Sequence, residues 1–167
     1  MKRRKFAARG ITLGLAAIVS PKAFASVIGL QKPKKDTIIT VIVDTENINQ
    51  DNKNQMTEIV DNRGGASRGG RHREFTTNID YDKWVVWDGR PMSNSDHYVN
   101  IIQIAKKSVG GGKTLLKKSV YNGETQVRAK ARKKYEEGEE LYDIHFDVVR
   151  GGSAERFVID PKLKINP

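Results

Sequence analysis

The chain has 167 residues, of which 30 are Lys or Arg and 20 are Asp or Glu, and its formal net charge at pH 7 is +10. This length fits a single domain, and a hydrophobic content of 37% is enough for a modest core, which argues against a disordered chain or a multidomain enzyme. Because cysteine is absent, disulfide bonds, thiolate catalysis and Cys-ligated metal sites are excluded.

The first 25 residues have the composition of an export signal. They contain no Asp or Glu, and their basic residues are Lys2, Arg3, Arg4, Lys5, Arg9 and Lys22. A basic head precedes the mostly apolar run 10–19, and the small residues Ala23 and Ala25 stand at positions −3 and −1 of a cleavage point before Ser26. We predict a signal peptide over 1–25, cleaved after Ala25, and a periplasmic or secreted protein. The apolar run is too short to span a bilayer about 30 Å thick, so no transmembrane segment is expected after cleavage.

The basic head resembles the twin-arginine (Tat) export motif. Arg3 and Arg4 are adjacent, and Phe6 follows after one intervening residue. A weakly hydrophobic core and a base at Lys22, just before the cleavage point, are also typical of Tat signals. An ordinary secretory signal with paired Arg is the alternative. Without residues 1–25 the chain keeps 24 basic and 20 acidic residues, so the mature protein is only mildly basic.

The mature chain is predicted to begin with a flexible leader over 26–36, a polar stretch that contains Gly29 and Pro33. A strand follows from Thr37 to Val43, where β-branched and apolar residues occupy both alternating faces, a pattern typical of a strand buried on both sides. From 47 to 73 the chain is polar and rich in Asn, Gln and Gly, which predicts a long loop.

Short predicted strands separated by Gly, Asn, Asp and Pro fill the rest of the chain. They cover residues 81–88, 98–105, 115–121, 142–148 and 157–159, with a last one around Leu163 and Ile165. The alternating stretch 125–135 fits a strand or a short helix. With no convincing amphipathic helix, the pattern predicts an all-β domain over 37–167: an antiparallel, immunoglobulin-like two-sheet β-sandwich of about seven strands. A twisted barrel is the alternative fold.

An unusual Arg/Gly segment lies at 63–73, with four Arg and four Gly in eleven residues and no acid. Its arginines are Arg63, Arg68, Arg71 and Arg73. The segment resembles an Arg-Gly-Gly box, in which mobile guanidinium groups contact phosphates and stack on bases. It predicts a mobile loop at 61–75 and, as an alternative function, weak binding of a polyanion such as nucleic acid, lipopolysaccharide or acidic polysaccharide. A solvated loop without a ligand is the simpler interpretation.

Three aromatic residues, Trp84, Trp87 and Tyr98, are candidates for an aromatic surface that stacks on sugar rings. Trp84 and Trp87 point to opposite faces of one predicted strand, so at most one of them is free to contact a ligand. A carbohydrate-binding module is therefore the second alternative function.

No residue pattern indicates catalysis, a metal or a cofactor. His72, His97 and His145 are too far apart in sequence to form a local ligand pair. The segment 110–114 ends like a phosphate-binding loop, but Lys107 stands where that motif needs Gly. No Gly-x-Ser-x-Gly elbow is present. We predict a protein that is not an enzyme and has no cofactor.

Both ends of the mature chain resemble one family. Residues 39–46 form a predicted strand that ends in Val-Asp-Thr-Glu. Near the other end, 142–146 and 157–165 form a predicted hairpin with Asp160-Pro161 before a short last strand. These segments resemble the bacterial inclusion-body proteins of the AidA/PixA family. The resemblance implies a β-sandwich found in secreted or densely stored form, with no catalytic residues. Our leading prediction is an exported, non-enzymatic β-sandwich that acts by self-association or by binding an envelope partner.

Overall fold

A computed structural model describes residues 33–94, 96–110 and 112–167. The predicted signal peptide and most of the predicted leader lie outside these residues. The described strands are β1 (Thr37–Val43), β2 (Thr57–Asp61), β3 (Ala66–Ser67), β4 (Thr76–Asp80), β5 (Trp84–Pro91), β6 (Tyr98–Lys106), β7 (Val120–Asn122), β8 (Val127–Lys130), β9 (Glu139–Arg150), β10 (Ser153–Ile159) and β11 (Lys162–Asn166). A short 3₁₀ turn covers His72–Glu74. Within the described ranges, no helix has the length and apolar character needed to cross a membrane.

The strands form two mixed sheets with a shared core. The first sheet has the order β3-β2-β1-β5-β8; the second has the order β4-β11-β9-β6-β7, and β10 also pairs with β9. The prediction of an all-β, two-sheet sandwich is confirmed. The purely antiparallel arrangement is wrong, because β1 pairs with β5 and β4 with β11 in parallel. A parallel pair needs a long crossover, and β2, β3 and β4 supply one between β1 and β5. The immunoglobulin-like strand order stays a prediction.

Several strand boundaries differ from the sequence prediction. The predicted loop at 47–73 contains β2 and β3, because Thr57 and Ile59 alternate inward and β2 pairs with β1. The predicted strand at 115–121 is mostly irregular, and only its end belongs to β7, although Leu115 and Leu116 are buried. The stretch 125–135 contains a strand, β8, rather than a helix.

The core is built from alternating side chains of both sheets. In β9 the residues Tyr142, Ile144, Phe146 and Val148 all point inward, as the sequence alternation predicts. From the other sheet, the Trp87 indole donates its Nε1–H to Tyr142 Oη at 3.1 Å, and the two rings meet edge to face with centroids 5.8 Å apart. This contact joins the two sheets at the centre of the core.

β1 lies between β2 and β5, and its two faces have different surroundings. Ile39, Val41 and Val43 point into the core and are fully buried. On the other face, Ile38 remains 46% exposed. The prediction that β1 is buried on both faces is therefore wrong at Ile38, although Ile42 on the same outer side is only 8% exposed.

Candidate functional site

The outward side chains of four neighbouring strands form one surface, which we call the outer face. Its members are the outward residues of β1, β2, β5 and β8: Ile38, Thr40, Ile42, Glu58, Val60, Trp84, Val86, Asp88, Arg90, Arg128 and Lys130. The strand registers set Ile38 beside Val86, and Val86 beside Arg128. Trp84 at the start of β5 is 39% exposed. An apolar strip therefore crosses the outer face.

The outer face also carries charges of both signs. In the part of the chain that the structure describes, Asp88, Arg90 and Arg128 have no oppositely charged group within 4.0 Å. The Arg128 guanidinium lies 4.9 Å from the centre of the Trp84 ring, close enough for a cation–π contact. Lys130 Nζ lies 5.3 Å from the same ring centre and 3.6 Å from an Asp82 carboxylate oxygen. Unpaired charges of both signs thus border the apolar strip.

The three aromatic candidates do not form one platform. Trp87 is fully buried, so its assignment to an aromatic surface is wrong; it follows Trp84 by three positions and points to the opposite side of β5. Tyr98 is 60% exposed but begins β6, which belongs to the second sheet. Of the three, only Trp84 belongs to the outer face.

Arg63 is held inside the structure. Its Nε donates to Thr37 Oγ1 at 3.0 Å, and its Nη2 donates to Asp80 Oδ2 at 2.9 Å and to the Lys35 carbonyl at 2.6 Å. Asp80 also accepts hydrogen bonds from the Lys35 amide and from Asn166. Burial alone would raise the pKa of Asp80, but these hydrogen bonds from Asn166, Lys35 and Arg63 hold it below its ordinary value. Arg63 thus joins β1 to β4, and Asp80 extends the network to Asn166 of β11; this role leaves the Arg63 guanidinium little freedom to bind a polyanion.

The other three arginines differ in their partners, although Arg68 and Arg71 line one shallow pocket together. Arg68 Nε lies 3.4 Å from a Glu58 carboxylate oxygen, and Arg73 Nε lies 2.6 Å from Asp160 Oδ2. Arg71 has no carboxylate within 4.0 Å among the residues that are described. Arg71 and Arg73 line one cleft, which Arg63 and Arg68 do not reach. The segment 61–75 includes β3 and the 3₁₀ turn, and its mobility stays a prediction.

The histidines are dispersed in the fold. His72 is buried and donates its Nε2–H to the Asn54 carbonyl at 3.1 Å, and burial lowers its pKa. His97 Nδ1 lies 2.9 Å from Thr45 Oγ1. Across residues 33–94, 96–110 and 112–167, no three His, Asp or Glu side chains are grouped as metal ligands.

Comparison with known proteins finds solved structures with a similar fold. The chain is similar to the crystal structure of PixA, an inclusion body protein from Burkholderia cenocepacia, with a TM-score of 0.58 and 14% sequence identity. The match covers 82% of this chain and 99% of that chain. No protein-family model matches the chain, and no curated protein sequence matches it.

This comparison confirms the family resemblance at the level of the fold. The first and last predicted strands, from which the resemblance was inferred, correspond to β1 and to β9, β10 and β11. At 14% identity the likeness concerns the arrangement of strands and assigns no function to any residue.

Sequence reasoning missed one buried acid, Glu140. It lies in β9 two positions before Tyr142, on the same inward face. One of its carboxylate oxygens accepts the backbone N–H groups of Leu115 and Leu116, the second at 3.1 Å. Glu140 therefore fixes an irregular buried segment to the sheet. The sequence did contain a signal for this: side chains two positions apart in a strand point to the same side, so the alternation that places Tyr142 inward also places Glu140 inward.

Proposed function

We propose that this chain is an exported, non-enzymatic β-sandwich protein that acts by self-association through its outer face. The observation that carries the proposal is the apolar strip around Ile38, Val86 and Trp84, which lies outside the core. A core strand that is apolar on both faces gains stability when its second face is also buried. The similarity in fold to an inclusion body protein supports the same conclusion.

The charges on the outer face can pair with those on the outer face of a second copy of the chain. In a twofold-symmetric pair the same surface meets itself, so each residue of one copy faces a residue of the other. Asp88 on one copy can then pair with Arg90 or Arg128 on the other, while Ile38 and Trp84 are withdrawn from water. Such pairing satisfies charges that have no partner within one chain.

The size of the outer face sets the expected strength. The four strands have 7, 5, 8 and 4 residues, about six on average. With strands about 4.8 Å apart and about 3.3 Å per residue, the face measures roughly 20 Å by 20 Å, or about 400 Å². A standard interface buries about 800 Å² on each partner. We therefore expect association that depends on concentration rather than a permanent dimer.

The association is tested with the double variant Ile38→Lys, Val86→Lys. Two ammonium groups on the apolar strip would have to be desolvated in the interface, so the variant is expected to sediment as a monomer where the wild-type chain forms larger species. The measurement is sedimentation velocity of the full chain over a range of concentrations, with circular dichroism to confirm folding. Val109→Lys is the control, because Val109 is 90% exposed and lies off the outer face. A wild-type chain that stays monomeric, or a double variant that associates like the wild type, contradicts the proposal.

Export is tested with the variant Arg3→Lys, Arg4→Lys. The substitution keeps both positive charges and removes the paired guanidinium groups that define the twin-arginine motif. We expect the exported fraction to fall sharply when cells are separated into cytoplasmic and periplasmic fractions. Unchanged export of the variant would indicate the general secretory route, and a wild-type chain found only in the cytoplasm would contradict export itself.

The alternative functions have less support. An envelope partner would use the same outer face, and sedimentation of the isolated chain separates that case from self-association. Polyanion binding by a flexible row of arginines is weakened by the ion pairs of Arg63, Arg68 and Arg73. A sugar platform is weakened because Trp84 and Tyr98 lie in different sheets.

A further inference from the structure

A cleft of about 470 Å³ is lined by five stretches of the chain. One wall is the turn at Lys53 and Asn54, and another is the end of the Arg/Gly segment from Gly70 to Arg73, next to which Glu74 adds a carboxylate. Val158, at the end of β10, adds apolar surface, whereas the neighbouring Ile159 is buried in the core. None of these residues belongs to the outer face, so the cleft is independent of the proposed self-association.

Two cations in the cleft share one carboxylate. Asp160 Oδ2 accepts hydrogen bonds from Arg73 Nε at 2.6 Å and from Lys107 Nζ at 2.8 Å, and Lys107 Nζ lies 3.5 Å from Asp143 Oδ1. Burial alone would raise the pKa of Asp160, but Lys107 and Arg73 hold it below its ordinary value. The hydrogen bond to Asp160 raises the pKa of Lys107. The Asp160 carboxylate and the Lys107 ammonium group therefore stay charged at neutral pH, and ionic hydrogen bonds hold Arg73 and Lys107 on Asp160.

Two more cations in the cleft have no such partner. Within the described ranges no carboxylate lies within 4.0 Å of Lys53 or Arg71. Arg73 uses its Nε on Asp160, so its terminal amino groups remain available to another acceptor. The cleft is thus lined by three cationic side chains, Lys53, Arg71 and Arg73, that keep N–H donors free of a carboxylate partner.

The wall that carries Arg71 and Arg73 is held in place by a hydrogen bond of the buried His72. His72, between them, is buried, and its Nε2–H binds the Asn54 carbonyl at 3.1 Å. Gly70 has a φ of +84°, which lets the chain turn beside Asn54 without a strained side chain. This anchor holds the two arginines next to the turn that carries Lys53. The His72 hydrogen bond therefore ties the wall that carries both arginines to the turn at Asn54.

We infer that this cleft binds a compact phosphate group, with Lys53, Arg71 and Arg73 donating to its oxygens. A phosphate carries several acceptor oxygens, and Arg matches pairs of them with its planar fork of N–H groups. The apolar surface of Val158 can contact the carbon part of a phosphate monoester. The phosphate can come from the free ion or from a small organic phosphate.

The test is isothermal titration of the full chain with inorganic phosphate and with glycerol 1-phosphate, at constant ionic strength. We expect saturable binding by the wild type, and binding about tenfold weaker in Arg71→Ala and in Lys53→Ala, the typical loss for one charge-assisted partner. Tighter binding of glycerol 1-phosphate identifies an organic phosphate as the ligand class, and equal binding identifies the free ion. Circular dichroism checks that each variant is folded.

The matched control is Arg68→Ala, which removes an exposed arginine that does not line the cleft. Its affinity for both probes is expected to equal that of the wild type. An absence of saturable binding by the wild type overturns the inference. Equal weakening in Arg68→Ala and Arg71→Ala also overturns it, because it would show diffuse attraction to the whole Arg/Gly segment.

Discussion

Glu140→Ala is expected to lower the free energy of unfolding by about 2–5 kcal/mol. The substitution leaves the backbone N–H groups of Leu115 and Leu116 without their acceptor inside the protein. Each unsatisfied buried donor costs about 1–3 kcal/mol. Equilibrium unfolding in urea, followed by circular dichroism, measures the loss. A midpoint equal to that of the wild type would show that the clamp on residues 115–116 has no energetic role.

Glu140→Gln separates the charge of this side chain from its hydrogen bonds. Burial raises the pKa of Glu140 above its ordinary value of 4.5, against the opposing effect of the Leu115 and Leu116 amides. The folded state then binds this proton more tightly than the unfolded state does. Stability contributed by the neutral form is complete below pH 4.5 and is lost as the pH rises through the folded pKa.

The Gln variant keeps an acceptor oxygen and cannot ionise. The variant is therefore expected to be at least as stable as the wild type at pH 7. Near pH 4 the difference in the free energy of unfolding between the two proteins is expected to vanish. Urea unfolding across this pH range measures both. Glu137→Gln is the matched control, because Glu137 is exposed and its neutralisation should leave the pH profile unchanged. A Gln variant that is less stable than the wild type only at pH 7 would mean that the ionised carboxylate stabilises the fold.

Trp87→Ala is expected to cost about 3–5 kcal/mol, whereas Trp84→Ala is expected to cost less than about 1 kcal/mol. Trp87 fills the core and donates to Tyr142, while Trp84 is on the outer face with Arg128 and Lys130 beside its ring. The Trp84 variant should instead weaken self-association. Urea unfolding gives the first comparison and sedimentation the second.

A second variant keeps this comparison useful if Trp87→Ala does not fold. Trp87→Phe retains an aromatic ring in the core and loses the indole N–H that binds Tyr142, so a smaller loss of stability is expected. Equal losses for Trp84→Ala and Trp87→Ala would contradict the assignment of the two tryptophans to opposite sides of β5.

The sequence predicts those parts of the fold in which one local pattern decides the outcome. The strict alternation from Tyr142 to Val148 predicts β9, because a strand with one buried face has a period of two. β2 was missed because its inward residues, Thr57 and Ile59, are few and follow a run of Asn and Gln. The parallel pairing of β1 with β5 was missed because the choice of partner strand depends on residues distant in sequence.

The candidate sites were predicted less completely, for a related reason. The two-faced apolar pattern of β1 was visible but was interpreted as burial within one domain, so the outer face was not predicted. The four arginines of the Arg/Gly segment were predicted to act together. Three of them, Arg63, Arg68 and Arg73, pair instead with Asp80, Glu58 and Asp160, which come from three other parts of the chain. Such charge pairing over long sequence distances leaves no local pattern.

Acrylamide quenching of tryptophan fluorescence tests most directly whether the outer face is the interface. The chain has two tryptophans, and Trp87 is fully buried, so the quencher reports on Trp84. As the concentration rises through the range in which sedimentation shows association, the quenching constant is expected to fall, because Trp84 becomes covered by a second copy. A constant that stays unchanged while the sedimenting mass increases would place the interface elsewhere and contradict the proposed role of the outer face.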